Sequence, residues 1–158
     1  MLYDPRDQSP AQGFAAAQAA ASGLGLTLVA GELRDPRMGS SLVERATSVQ
    51  GVLLIPGGAA FPAATDVIRA ATTRRIPVVA ASRREAALGA VATYGASDVD
   101  AARDAARLVD KILRGARAGD LPIERPTKLR LVINRKSARA LGLALPDAVV
   151  LRADETID

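Results

Sequence analysis

The 158-residue sequence predicts a layered α/β domain built on a parallel sheet. Short apolar runs bounded by Gly, Pro or charge alternate with amphipathic helical segments. The helices also carry clear start and stop signals. Strands alternating with helices at this spacing form βαβ units, and these close into layers.

The expected strands are LTLVAG (Leu26 to Gly31), GVLLIP (Gly51 to Pro56), IPVVAA (Ile76 to Ala81) and GAVATYG (Gly89 to Gly95). Continuous apolar runs of this length fit strands covered on both faces. Ahead of them only Met1 to Tyr3 precede the Asp4-Pro5 turn. The opening strand of such a sheet is usually central, so the chain reads as starting partway through an element.

Ser9, with Pro10 following and Gln12 three residues on, has the spacing of a capping box before AQGFAAAQAAAS. Pro62 opens AATDVIRAATTRR, and Pro77 forbids its continuation. The longest helix is expected over residues 98–114, capped by Ser97 and ended by Gly115. Val99, Ala102, Ala106, Val109 and Leu113 form one stripe along it, with Asp100, Arg103, Asp104, Arg107 and Lys111 opposite.

Composition narrows the chemistry. The chain has no Cys and no His, which removes disulfides, thiolate nucleophiles, imidazole bases and the usual zinc ligands. A net charge of +4 with interspersed signs, two Phe and two Tyr makes a poor nucleic-acid footprint. No nucleic-acid partner, metal or cofactor is expected. There is no G-x-S-x-G elbow, Walker lysine loop or H-E-x-x-H, so binding without bond making is the simplest inference and an enzyme is not expected. No run reaches transmembrane length, and MLYDPRDQSP has no export signal.

Ligands of open α/β sheets bind beyond the carboxyl ends of the strands, which directs attention to DPRDQS, PGGAAF, SRREAA and YGASD. Gly57 and Gly58 stand before a helix, where exposed backbone N–H groups suit an anion or simply make a turn. Asp4 and Asp7 suit an ammonium group or local turn chemistry, the turn being favoured. Ser9 is favoured as a cap, a role that can coexist with donation to a ligand. Ser82 and Arg83 open a short helix where a guanidinium can meet a carboxylate. Tyr94 is either a stacking wall or core. The candidate ligand-binding set is therefore Asp4, Ser9, Gly57, Gly58, Ser82, Arg83 and Tyr94.

The run DLPIERPTKLRLVINRKSARALGLALPDAVVLRADETI resembles the C-terminal signature of the ABC-transporter substrate-binding proteins, in which L-V-I-N-x-K-T-A-x-A-L-G-L precedes R-A-D-E-V-I. YDPRDQS, VLLIPGG and ATYGASDVDAARDAARLVDKILRGARAGDLP extend the likeness over nearly the whole chain. The resemblance implies a type I periplasmic-binding-protein-like fold of the tryptophan- and tyrosine-receptor kind. This sequence would supply its C-terminal lobe and tail: a three-layer Rossmann-like (flavodoxin-like) parallel sheet with helices on both faces. Residues 1–120 would form the solute-binding lobe, including the crossover helix. Residues 121–158 would add a return strand and closing helices to the same domain, with Leu129, Leu131 and Ile133 on one side of an edge strand and Lys128, Arg130 and Asn134 on the other.

The function so implied is periplasmic capture of a small solute, such as an amino acid or related carboxylate, in an inter-lobe cleft, for delivery to ABC permease subunits. The alternative is a truncated, dimerising interaction module with no solute ligand. In either case the stripe on helix 98–114 needs cover, from its own sheet or by a swapped exchange that makes a homodimer.

Overall fold

A computed structural model describes residues 1–126 and 128–158. Its strands are β1 (Leu2–Tyr3), β2 (Gly31–Glu32), β3 (Val52–Leu53), β4 (Val78–Ala80), β5 (Ala92–Ala96), β6 (Leu129–Asn134) and β7 (Glu155–Ile157). Its helices are α1 (Gln8–Gly23), α2 (Gly39–Arg45), α3 (Ala60–Thr73), α4 (Arg83–Leu88), α5 (Asp98–Leu113), α6 (Arg135–Ala140) and α7 (Asp147–Val150).

β1 pairs in parallel with β2 and bridges in parallel to Leu54 at the end of β3, so the spatial order is β2-β1-β3-β4-β5-β6-β7. The first five strands have the flavodoxin-like order, with its reversal between β1 and β3. β1 is thus central, as an opening strand should be. β6 runs antiparallel to β5, and β7 parallel to β6.

The core lies on one face of this sheet. Leu2, Val52, Leu54, Val78 and Ala80 meet Ala60, Ala63, Ala64, Val67 and Ile68 of α3, and Leu33 and Val43 complete the cluster. Six small or β-branched positions of α3 are buried at helical spacing. Gly39 of α2 allows close approach, since a Cβ there would stand 2.9 Å from Val67. On the other face lies α1, whose Phe14 stacks on Tyr3 with ring centroids 4.9 Å apart. Helices therefore occupy both faces, but the second is covered only toward β1 and β3. Over β4 to β6 that face shows Val79, Tyr94 and Leu129 to solvent.

Several local expectations change. The cap of α1 is Asp7, whose carboxylate accepts from the Ser9 N–H at 3.2 Å, and Ser9 is an exposed residue of the first turn. LTLVAG is not a strand. Only Gly31 joins β2, and Leu26 and Val29 are exposed because this flank of the sheet has no neighbour to bury them. The expected strands are also not covered on both faces: Val78 and Ala80 are buried while Val79 between them is 41% exposed. The return strand β6 is not an edge strand, because β7 pairs outside it. The alternation along β6 holds nonetheless, with Leu129, Leu131 and Ile133 opposite Ala96, Tyr94 and Ala92.

α5 matches the expected span closely. Ser97 accepts from the Asp100 N–H at 3.2 Å, and Gly115 follows the helix with φ of 101°. Among its described residues none is buried.

Candidate functional site

Parallel strands deliver their following loops to one edge of the sheet, and the strand-order reversal opens a crevice between β1 and β3. Asp4 ends β1 at that point. Its Oδ1 accepts from the backbone and Nε of Arg6, both at 3.0 Å, and its Oδ2 from Nη2 of Arg6 at 2.8 Å. Oδ2 also accepts from the Ala59 N–H at 2.9 Å, 55 residues away. These bonds, led by the Arg6 guanidinium, hold the Asp4 carboxyl well below the usual carboxylate range.

The paired glycines are the other half of this arrangement. Gly57 and Gly58 have φ of 125° and 46°. A Cβ at Gly57 would stand 2.7 Å from Asp7 Oδ2, and one at Gly58 would stand 2.4 Å from Asp4 Oδ2. Glycine is needed here so that the loop after β3 can close onto Asp4. The sequence left an anion cradle and a turn equally open at this loop, and the structure brings Asp4, Gly57 and Gly58 together around a bond internal to the protein.

At the β4 end, Ser82 and Glu85 form a reciprocal cap: Glu85 Oε2 accepts from the Ser82 N–H at 2.9 Å and from its hydroxyl at 2.6 Å. Arg83 makes a two-oxygen contact with Glu155 of β7, Nε lying 2.9 Å from each oxygen. Arg84 stacks its guanidinium 4.6 Å from the centroid of Phe61, which is 53% exposed at the start of α3. These contacts tie the loops after β3 and β4 to each other and to β7. Tyr94 lies elsewhere, 58% exposed on the second face of the sheet. Ser9 stays at the start of α1.

A hollow of about 390 Å³ lies beyond the ends of β4 and β5, lined among others by Arg83, Ser97, Asp100, Arg130, Asp154 and Glu155. Asp100 accepts from Arg130 at 3.1 Å, and this bond first, then attraction to the same guanidinium, lowers its carboxyl from the usual value. Arg103 also reaches Asp100 at 3.1 Å, and Arg130 lies 3.8 Å from Asp154. The wall thus holds both signs of charge at short range, a setting for a small zwitterion or carboxylate. No group of three metal-ligating side chains occurs among the described residues.

Of the sequence candidates, Arg83 alone lines this hollow, with Ser82 beside it. Asp100, Arg130, Asp154 and Glu155 were missed. They come from α5, β6 and the start of β7 with the residue before it, separated along the chain, and the antiparallel return of β6 assembles them. The RADE run at the C-terminus was a sequence signal for Asp154 and Glu155 alone.

A family model described as ABC transporter substrate binding protein matches residues 1–157. The chain belongs to this family. Members are substrate-binding proteins rather than enzymes. A search of curated proteins found no match.

Solved structures agree on the fold of this substrate-binding chain. A conserved domain protein from Vibrio cholerae matches with TM-score 0.88 and 25% identity, over 98% of this chain and 53% of the other. An ABC domain from Streptococcus pneumonia, in complex with L-Trp, matches with TM-score 0.87 and 20% identity, over 99% and 53%. A ligand-free, open substrate-binding protein with adhesive properties from Clostridium difficile matches with TM-score 0.70 and 18% identity, over 99% and 52%. The chain spans about half the length of these relatives. No described helix is long and apolar enough to cross a membrane.

Proposed function

We propose that this chain is a solute-binding lobe of an ABC import system, taking an amino acid or related carboxylate against its strand-end edge. Residues 1–120 form the lobe proper, and residues 121–158 return to it as strand and closing helices. The solute is enclosed by hinge closure against an apposed surface and passed to permease subunits, with no bond made or broken. A periplasmic location accords with this role.

The mixed-charge hollow carries the reading. Arg83 and Arg130 offer guanidinium groups to a carboxylate, while Asp100, Asp154 and Glu155 offer oxygens to an ammonium group. Their mutual ion pairs hold these groups in place before a solute arrives. Asp4, Gly57 and Gly58 then act as the rigid support of the neighbouring crevice, Ser82 as the positioner of Arg83, and Ser9 and Tyr94 as flanking surface.

The test is a thermal-shift panel of amino acids and simple carboxylates, beginning with L-Trp because the Streptococcus domain was solved with it. A true solute about a hundredfold above its Kd raises Tm by roughly 5–10 °C for a chain of this size. Arg130→Ala should abolish the shift. Absence of any shift favours a second reading, a dimerising interaction module with no solute, for which the exposed stripe of α5 is the supporting observation.

A further inference from the structure

α5 stands almost free of the rest of the molecule. Val99, Val109, Ile112 and Leu113 along its apolar stripe are 59%, 53%, 42% and 81% exposed. Among the described residues, ion pairs tie it to the rest of the chain at Asp100 in its first turn, to Arg130, and at Arg107 near its middle, to Glu124 in the returning segment. An isolated helix of sixteen residues is marginal in water, so most of its stability must come from a face packed on something.

The same chain exposes a surface of matching kind. On the second face of the sheet, Val79 of β4, Tyr94 of β5 and Leu129 of β6 are exposed, with Leu131 half-buried among them. Three neighbouring strands spaced about 4.8 Å apart make a strip about 10 Å wide, the width of one helix. Ala96 and Leu129 are paired across β5 and β6, so both ends of the excursion leave from the strand-end edge. No described residue of α5 is buried, so the helix does not cover this strip of its own sheet.

We propose that α5 of one copy packs across the β4-β5-β6 strip of a second copy, and reciprocally, in a two-fold dimer. One exchange covers two exposed apolar surfaces per chain with no further partner. Because α5 starts at the strand-end edge, the receiving copy must sit beyond that edge, and the two mixed-charge hollows then face each other across one cleft. Two copies also restore the length of the solved relatives, of which one chain spans about half. The exchange stands independently of the solute reading, whereas the use of the shared cleft rests on it.

The experiment uses the full chain. Light scattering should give a dimer in place of the 16.3 kDa monomer, and Val109→Glu on the helix and Val79→Glu on the strip should each return it to monomer. Tyr94→Lys serves as a second strip variant if Val79→Glu fails to fold. The chain has no Cys, so V109C and Y94C proteins can be mixed under mild oxidation. The mixed disulfide dimer should dominate over either self-linked product. A monomer at every concentration, a dimer indifferent to the charged variants, or dominant V109C self-linkage each overturns the exchange. Repeating the solute panel on the same samples separates the two readings. A monomer whose Tm responds to a solute keeps the transport role and rejects the dimer, and an exchanged dimer that never responds does the reverse.

Discussion

Asp4 shows how much one side chain can organise. Local turn chemistry was legible in Asp-Pro-x-Asp, and the Arg6 N–H bond confirms it. The bond to Ala59 was not legible, because no sequence spacing announces a contact between residues 55 positions apart. The same holds for the glycines, where a turn was foreseeable and the carboxylates pressed against them, Asp7 at Gly57 and Asp4 at Gly58, were not. The depressed Asp4 carboxyl gives this lock a pH signature. A group with a lowered folded pKa contributes stability above its unfolded value of about 3.9 and loses it as pH falls through the folded value. Asp4→Asn should therefore melt several degrees below the parent at neutral pH, and the gap should close as pH drops below about 4. A gap of constant size from neutral to acid would show that the ionised carboxylate is not what holds the loop.

At the scale of elements, α5 was the easiest to read and the sheet margins the hardest. A capped, amphipathic helix carries its own signals, so Ser97 and Gly115 fixed its ends without help from the rest of the chain. β1, β2 and β7 have two, two and three residues, too few to show a period, and they exist because a neighbour offers hydrogen-bond partners. Asn134 is a junction of this non-local kind. Buried at the end of β6, it donates from Nδ2 to the Ala86 carbonyl at 2.8 Å and accepts the Ser137 N–H at 2.7 Å, joining β6, α4 and the start of α6. Asn134→Ala should cost about 2–3 kcal/mol in denaturant unfolding, combining a lost cap with a buried carbonyl left without its donor. A cost within about 0.5 kcal/mol, as for an ordinary surface change, would show that water replaces both bonds.

Across the whole molecule, the layered order and the strand-end edge followed from the alternation of elements, while the uneven covering of the two faces did not. Strand composition reports that a residue is apolar, and it does not report which helix, or whose, lies over it. That is why Val79 and Tyr94 read as core or wall and turn out exposed. The pairing of Ala96 with Leu129 has one more consequence. Residues directly opposite in an antiparallel pair sit about 4.5–5.5 Å apart, a gap that a two-residue Asn-Gly turn closes. Excising residues 97–128 and splicing in that turn should convert β5 and β6 into an ordinary hairpin and yield a minimal, strictly monomeric protein with a cooperative melt. A broad, uncooperative melt would mean that the excised stretch helps to hold the sheet together. In engineering terms, the excursion is a detachable cassette: two such cores could be fitted with unlike inserts and assembled into pairs of chosen composition.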